Sequence, residues 1–206
     1  MSDQTMNHFK VIMLGDSGVG KTALVNRVVD GVFTEAHVPT VGSQFISLPL
    51  EYEGTSLTFE LWDTAGQEVY RSLVGFYSRD AKGAFLLFDV TNDKTFLGLR
   101  EWINFANEAT PGVKIIIGAN KIDLVDQKVI TDEQIDELSN ELGVEIVQVS
   151  AKTGEGTRDL FDKMSEVLMS FQPKEKSETK ENEDEEKKGK NVNINSKDKE
   201  KRKDCC

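Results

Sequence analysis

The order of apolar and polar residues divides most of the chain into alternating strands and helices. Short apolar or alternating runs predict strands, and apolar residues spaced three to four positions apart predict helices. The predicted strands are residues 9–14, 44–51, 56–62, 83–90, 113–118 and 144–149. The predicted helices are residues 21–30, a segment after Thr91-Asn92, 131–142 and 156–171.

Turn and cap residues mark the ends of several of these elements. Glu53-Gly54 is a turn-like pair between the second and third strands. Thr131 and Gln134 have the spacing of a capping box, and Gly143 is a stop signal for the same helix. The helix after Thr91-Asn92 carries apolar residues on or near one face, namely Phe96, Leu99, Trp102, Ile103 and Phe105.

This alternation predicts an α/β fold with a six-stranded, mostly parallel sheet that is flanked by helices on both faces. In such sheets, phosphate ligands bind at the carboxyl ends of the strands. The segments that follow strands are therefore where binding residues are expected.

The last part of the chain differs in composition from the rest. Residues 173–204 contain no aromatic residue and only two aliphatic ones, Val192 and Ile194. Such a segment buries too little apolar area to offset the entropy of ordering it. The sequence therefore predicts a short N-terminal extension at residues 1–8, one folded domain at residues 9–171 and a disordered tail at residues 172–206.

Net charge also distinguishes the folded domain from the tail. The chain has 25 Lys and Arg against 36 Asp and Glu, a net charge of −11. Residues 173–206 hold 11 basic and 10 acidic residues, so the remainder holds 14 and 26 and carries −12. An acidic domain excludes nucleic acid binding by bulk electrostatics. No apolar run approaches the ~18 residues of a transmembrane helix.

The most specific motif, Gly15-Asp-Ser-Gly-Val-Gly-Lys-Thr22, matches the phosphate-binding pattern G-x-x-x-x-G-K-[ST]. It lies between a predicted strand and a predicted helix. Glycines let consecutive N–H groups point at phosphate oxygens, and the helix N-terminus adds partial positive charge. Lys21 adds a full charge, and Thr22 adds a hydroxyl ligand for Mg²⁺. The predicted nucleotide-binding residues here are Asp16, Ser17, Gly18, Val19, Gly20, Lys21, Thr22 and Ala23.

A second motif, Trp62-Asp-Thr-Ala-Gly-Gln-Glu68, follows the third predicted strand. Asp63 is placed to hold Mg²⁺, and Gly66 could donate its N–H to a γ-phosphate. Gln67 suits a residue that orients an attacking water. The alternative interpretation of Asp63 is an ordinary turn residue at a strand end.

Two later motifs suit the recognition of guanine. In Asn120-Lys-Ile-Asp123, the carboxylate of Asp123 can accept hydrogen bonds from both N1–H and the N2 amino group of guanine. An analogue that leaves such a group unpaired is strongly rejected, so Asp123 would discriminate against adenine. Asn120 and Lys121 would support the loop and the ring. In Ser150-Ala-Lys152, the N–H of Ala151 could bind the guanine carbonyl oxygen.

These four motifs, in this order, resemble the Ras superfamily of small GTPases over residues 9–171. The resemblance implies that the chain binds GTP and GDP with Mg²⁺ and hydrolyses GTP. It also implies that Thr40 contacts both Mg²⁺ and the γ-phosphate and that Phe33 flanks the guanine. Eight residues run from Phe33 to Thr40, which is the spacing of the family.

Within the superfamily, the chain resembles the Rab branch. Phe45, Trp62 and Tyr77 stand at the positions of the Rab aromatic triad that contacts effectors, and residues 70–73 and 88–96 also match. Only 26 residues separate Asp123 from Ser150, which leaves no room for the extra helix of the Rho branch.

The departures from the Rab pattern lie in or beside the switch regions. Gln44 replaces an acidic residue, Val69 stands where arginine is common, and Ser78-Arg79-Asp80 replaces Tyr-Arg-Gly. These differences concern the identity of partners rather than the binding of nucleotide.

Cys205 and Cys206 end the chain and are its two cysteines, so no internal disulfide is expected. In Rab-like proteins, a terminal Cys-Cys accepts two geranylgeranyl groups, and two lipid chains give stable membrane attachment. The tail would then be a tether with a reach on the order of 30 Å. The alternative is a pair of reactive exposed thiols. The basic segment 197–203 suits either weak attraction to anionic lipid or a solvated spacer.

The resulting hypothesis is a monomeric, Rab-like GTPase on the cytoplasmic face of an intracellular membrane, where it regulates vesicle trafficking. The resemblance implies an exchange factor, a GTPase-activating protein, a GDP-dissociation inhibitor and effectors as partners. Residues 71–73 and 77–80 favour Golgi or endosomal Rab types. Two alternatives remain: a nucleotide-gated binding module that hardly hydrolyses GTP, against which Gln67 argues, and a GTPase without a lipid.

Overall fold

The structure is a computed structural model that describes residues 7–35, 40, 42–64 and 71–171. The predictions for Gly66, Gln67, Val69, the tail, Cys205 and Cys206 lie outside the described residues. The predicted fold class is confirmed by the sheet and helices that follow.

Six strands form one sheet. They are β1 Asn7–Leu14, β2 Ser43–Tyr52, β3 Thr55–Thr64, β4 Gly83–Asp89, β5 Lys114–Asn120 and β6 Ile146–Gln148. Their order in the sheet is β2-β3-β1-β4-β5-β6, with β2 and β3 antiparallel and all other neighbours parallel. Glu53 and Gly54 join β2 to β3 with φ angles of 48° and 74°. Two positive φ values give a tight hairpin whose twist matches that of the strands.

Helices connect the strands. They are α1 Lys21–Asp30, α2 Arg71–Ser78, α3 Asp93–Leu97, α4 Leu99–Ala109, α5 Asp132–Leu142 and α6 Thr157–Ser170, with a short 3-10 helix at Val125–Gln127. In the part of the chain that the structure describes, none of them combines the length and the apolar character needed to cross a bilayer.

Each face of the sheet carries its own hydrophobic core. On one face, residues of β1, β3 and β4 pack against α1 and α6, with Leu24, Phe59 and Phe161 among the buried side chains. On the other face, Ile12 and Phe88 belong to a core that includes residues of α4 and α5. Because both faces are covered, the central strand β4 is buried along its whole length.

The parallel pairing brings the ends of the strands to one edge of the sheet. β1 ends at Leu14, β4 at Asp89 and β5 at Asn120, and each is followed by one of the segments singled out in the sequence. The antiparallel pairing of β2 with β3 sets Gln44 opposite Asp63, which brings the start of β2 to this same edge. The edge is where phosphate ligands bind in such sheets.

Two helical segments differ from the predicted pattern. Residues 71–78 form α2, which the periodicity did not predict. The helix expected after Asn92 is interrupted at Gly98 and becomes α3 and α4. A Cβ atom at residue 98 would lie 3.3 Å from both Oδ2 of Asp16 and the carbonyl oxygen of Lys94, so close packing accounts for glycine there.

Candidate nucleotide site

Residues 15–20 form a loop between β1 and α1 that exposes backbone N–H groups. Gly18 and Gly20 adopt φ angles of 81° and 99°, a conformation that other residues rarely reach. A Cβ atom at residue 20 would lie 2.3 Å from Nδ2 of Asn120, so glycine is also required for space. The first intrahelical bond of α1 runs from Leu24 N–H to the carbonyl of Gly20. The N–H groups before Leu24 are therefore available to an anion.

Lys21 crosses the loop and is itself buried. Its Nζ donates to the carbonyl oxygens of Gly15 at 2.7 Å and Asp16 at 2.8 Å. Burial lowers the pKa of Lys21 to about 8, although the charges of Asp63 and Asp16 oppose this shift. The ammonium group is thus held at the loop by two carbonyls, within the segment that the sequence assigns to phosphate.

The carboxylate of Asp16 is engaged with helix α4 instead. Nε1 of Trp102 donates to Oδ1 of Asp16 at 2.8 Å. This bond links the loop to an element 86 residues further along the chain. The carboxylate of Asp16 is therefore bonded to Trp102, while its backbone carbonyl accepts from Lys21.

The three predicted metal ligands lie together. The hydroxyl of Thr22 donates to Oδ2 of Asp63 at 2.5 Å, and it lies 2.7 Å from the hydroxyl of Thr40. Because the hydroxyl proton of Thr22 lies in the hydrogen bond to Asp63, the hydroxyl of Thr40 is the donor in the second bond. The other carboxylate oxygen of Asp63, Oδ1, is buried and has no hydrogen-bond partner among the described residues.

This arrangement fits Mg²⁺. Burial raises the pKa of Asp63, while the hydrogen bond from Thr22 and the charge of Lys21 oppose that shift. An unpartnered carboxylate oxygen beside two hydroxyls offers the hard oxygen ligands that Mg²⁺ prefers. Among the described residues, no three His, Cys, Asp or Glu side chains gather in one place. A cation here would complete its coordination with water and phosphate oxygens, as Mg²⁺ commonly does.

A cleft of about 390 Å³ lies next to the loop. Its lining comes from the loop, the segment after α1, and the segments after β5 and β6. The predicted residues among those that line it are Gly18, Gly20, Ala23, Phe33, Asn120, Lys121, Asp123, Ala151 and Lys152. The structure therefore brings the predicted phosphate-binding and base-binding segments around one space.

Asn120 joins three of these segments. Its Nδ2 donates to the carbonyl of Val19 at 2.8 Å, and its Oδ1 accepts from the N–H of Ala151 at 3.1 Å. The side chain is almost fully buried, so the loss of either bond would leave a buried polar group unpaired. The N–H of Ala151, which is predicted to bind a guanine carbonyl, thus already donates to Asn120, and a base would share this donor with Asn120.

Asp123 and Lys121 are each fixed by a neighbour. The hydroxyl of Ser150 donates to Oδ1 of Asp123 at 2.6 Å. Nζ of Lys121 lies 2.5 Å from Oδ2 of Asp89 in an ion pair. The other oxygen of Asp89 accepts from the N–H and the hydroxyl of Thr91. The two side chains that the sequence predicts to bind the base are therefore oriented without a ligand.

The three predicted effector residues form one aromatic cluster. The ring centroids of Phe45 and Trp62 are 5.3 Å apart, and those of Trp62 and Tyr77 are 5.1 Å apart with nearly parallel planes. The register of β2 with β3 pairs Phe45 with Trp62 directly. Phe45 is 51% exposed, so the cluster presents apolar surface to solvent beside the site.

The site has the arrangement expected of a guanine-nucleotide switch, and sequence comparison decides its family. The family model of the Ras family matches residues 10–170. The chain belongs to the Ras family. The human Ras-related protein Rab-15 is 33% identical over 168 residues, which cover 81% of this chain and 79% of that relative.

Two further relatives also carry Rab names. Ras-related protein Rab-8B of Dictyostelium discoideum is 37% identical over 153 residues, covering 74% of this chain and 75% of the relative. Ras-related protein RABF2b of Arabidopsis thaliana is 36% identical over 167 residues, covering 81% and 84%. The chain is thus a Rab-like small GTPase, which binds guanine nucleotide and hydrolyses GTP. Vesicle trafficking is the general role of Rab proteins.

Sequence reasoning missed several residues that support the site of this GTPase. Asp89 and Thr91 orient Lys121, and Trp102 holds Asp16. Arg27 donates to two carbonyls of the predicted base-binding segment, those of Ala151 and Lys152, and to the carbonyl of Gly31 after α1. Asp89 and Thr91 lie in the segment 88–96 that marked the Rab resemblance, so a signal was present. Arg27 lies in a helix whose pattern predicts only packing, so nothing local indicated its role.

Proposed function

We propose that this GTPase is a Mg²⁺-dependent Rab switch whose nucleotide occupies the loop and the cleft described above. The proposed ligands of the phosphates are the backbone of residues 16–23 and the ammonium of Lys21, and Phe33 and Lys152 flank the base. The observation that carries the proposal is the buried, unpartnered Oδ1 of Asp63 beside Thr22 and Thr40. A buried carboxylate oxygen is costly without a partner, and a cation would supply one.

Thr22, Thr40 and Asp63 are the proposed holders of the metal. When bound there, Mg²⁺ would neutralise charge on the β- and γ-phosphates, which is its role in phosphoryl transfer. Thr40 belongs to the segment after α1, and its hydroxyl already contacts that of Thr22. A bound γ-phosphate would hold Thr40 in place, and its loss would release the segment.

Asp123 and Ala151 are proposed to read the base. The free oxygen of Asp123 accepts from guanine while Ser150 holds the other, and the Ala151 N–H donates to the guanine carbonyl. Gly66 and Gln67 lie outside the described residues, and their roles at the γ-phosphate and the attacking water remain part of the proposal. Positioning and charge stabilisation suffice for this chemistry, so an amide such as Gln67 is adequate.

The exposed aromatic cluster of Phe45, Trp62 and Tyr77 is the proposed contact for effectors. Two of its three members, Phe45 and Trp62, lie on β2 and β3, close to Asp63 and to the end of the segment that holds Thr40. An exchange factor, a GTPase-activating protein and a GDP-dissociation inhibitor would act on the same switch. Geranylgeranyl groups on Cys205 and Cys206 are proposed to attach the monomer to the cytoplasmic face of Golgi or endosomal membranes.

The metal site is tested by the release of a fluorescent GDP analogue with and without EDTA. We expect EDTA to accelerate release from the wild-type chain, because it removes the cation that helps to hold the phosphates. The expected factor is roughly tenfold or more, which corresponds to a loss of ~1.4 kcal/mol or more of binding free energy. Asp63→Asn keeps the shape of the side chain but removes its charge, so the response to EDTA should shrink to about twofold or less.

The matched control is Asp136→Asn, which removes an exposed carboxylate from α5. It should respond to EDTA as the wild type does. Release from the wild-type chain at one rate with and without EDTA would contradict the metal site. If Asp63→Asn responds to EDTA as fully as the wild type, Asp63 is not a ligand of the metal.

A further inference from the structure

Arg27 on α1 is bonded to the base-binding segment from outside the cleft. Its Nε donates to the carbonyl of Ala151 at 2.9 Å, and its Nη2 donates to the carbonyl of Lys152. Its Nη1 donates to the carbonyl of Gly31 at 2.7 Å, just after α1 ends. One side chain therefore ties two consecutive carbonyls of the base-binding segment to the start of the segment that leads to Phe33.

These bonds decide which backbone groups can face the base. In a trans peptide, the C=O and the following N–H point in opposite directions, and the described residues contain no cis peptide bond. Because the carbonyl of Ala151 faces the guanidinium of Arg27, the N–H of Lys152 points away from that guanidinium. Ala151 and Lys152 line the cleft, and Arg27 does not. The segment thus turns donors, not acceptors, toward the cleft.

We propose that Arg27 is a positioning residue that sets selectivity for guanine by holding the carbonyls of Ala151 and Lys152 away from the base. Guanine carries an oxygen acceptor at C6, where adenine carries an amino donor. A segment that presents donors favours the first and repels the second. The proposal rests on the base site under Proposed function, and it adds a determinant of selectivity that does not touch the base.

Other contacts of the segment are weaker candidates for this role. Lys152 pairs with Glu35 at 3.6 Å, but both side chains are largely exposed, and such pairs contribute little. The stem of Arg27 packs near Gly154, where a Cβ atom would lie 3.6 Å from Cδ of Arg27. Arg27→Met therefore keeps most of this packing while it removes all three hydrogen bonds.

The test measures displacement of a fluorescent GDP analogue by GDP, IDP and ADP from the full-length chain. We expect Arg27→Met to weaken GDP and IDP by the same factor, roughly tenfold, because hypoxanthine keeps the oxygen at C6. The affinity for ADP should fall by a smaller factor or rise, so the preference for GDP over ADP shrinks. Single-turnover hydrolysis of preloaded GTP should stay within about twofold of wild type, since the metal and phosphate residues are untouched.

Arg158→Met is the matched control, because Arg158 lies on α6 with a side chain that is 85% exposed and pairs with Asp162 one helical turn away. It should leave all three affinities unchanged. Arg27→Lys, which can still donate to one carbonyl, should recover part of the preference. If Arg27→Met does not fold, Arg27→Lys is the decisive variant, because it cannot make all three hydrogen bonds. A preference for GDP over ADP in Arg27→Lys that equals the wild-type preference then overturns the proposal.

Equal weakening of GDP, IDP and ADP by Arg27→Met would show a purely structural role and overturn the proposal. So would affinities that match those of Arg158→Met. A wild-type chain without preference for GDP over ADP would overturn the base site itself, whereas a normal wild-type preference that survives Arg27→Met overturns only the role of Arg27.

Discussion

At the scale of single residues, the site is made of polar side chains that other protein groups already hold. Ser150 fixes one oxygen of Asp123, and Asp89 fixes Lys121. Asn120 is fixed at both ends of its amide. Groups that are ordered before binding lose little entropy when the ligand arrives, so their hydrogen bonds contribute more to affinity.

Asp123→Asn tests the reading of the base. The amide that replaces the carboxylate no longer accepts from both N1–H and N2 of guanine, so affinity for GDP should fall roughly a hundredfold or more. Xanthine carries a carbonyl at C2, which an amide N–H can meet, so affinity for XDP should rise. Competition of GDP and XDP for the same site measures both changes.

Asp126→Asn is the control for this exchange, since Asp126 lies three residues away and is exposed. It should leave the ratio of GDP to XDP affinity unchanged. Undiminished GDP affinity in Asp123→Asn would remove this carboxylate from base recognition.

The sequence identified the polar residues of the site but not the residues that hold them. Motif spacing predicts Asn120 and Asp123, because the recognition of guanine demands those residue types, and it predicts Asp16 only through its place in the phosphate loop. The contacts from Trp102 to Asp16 and from Arg27 to Ala151 join positions 86 and 124 residues apart. Such pairs depend on how helices pack on the sheet, which a local pattern does not contain.

At the scale of elements, apolar periodicity predicted the strands and most helices to within a few residues. It missed α2, a short helix that contains Gly75 and whose residues were noticed instead as a Rab-like segment. It also merged α3 and α4, because the close approach of Asp16 to Gly98 arises from the fold and leaves no mark in the periodicity. The capping box at α5 was predicted and is confirmed.

That capping box offers a test of an element that stands apart from the site. The hydroxyl of Thr131 accepts from the N–H of Gln134 at 3.3 Å, and Gln134 Oε1 accepts from the N–H of Thr131 at 2.9 Å. Thr131→Ala removes the first bond, so the free energy of unfolding should fall by about 1 kcal/mol. The Tm of the GDP-bound chain should fall by roughly 2–4 °C.

Thr131→Ser keeps the hydroxyl, so its Tm should be nearly that of the wild type. GDP release should be the same in both variants, because Thr131 does not line the cleft. A loss of Tm in Thr131→Ser equal to that in Thr131→Ala would show that the methyl group, not the cap, stabilises α5.

At the scale of the whole molecule, the alternation of strands and helices predicted the fold class but not the order of strands in the sheet. β1 lies between β3 and β4, and Val11 pairs with Gly83 in the β1–β4 ladder. The composition of residues 172–206 predicts a tether, and that prediction lies outside the described residues.

Removal of both terminal cysteines tests the proposed attachment. Exchange of Cys205 and Cys206 for serine should move an N-terminally tagged chain from the membrane fraction of a eukaryotic cell to the soluble fraction. Exchange of Cys206 alone should give partial, readily reversed association, because one lipid chain anchors only marginally. Fractionation of cell lysates measures the distribution, and a double variant that still sediments with membranes would refute lipid attachment at these residues.

The wide spacing of the site along the chain has a consequence for its biosynthesis. The loop at Gly15 needs Asn120 to hold Val19, and Asn120 in turn binds Ala151. A ribosome that adds ~5–20 residues per second needs on the order of ten seconds to pass from the first of these segments to the last. Until the last of these segments has been made, the nascent domain has its phosphate loop but not the full set of contacts that shapes it, so nucleotide capture belongs to the end of translation.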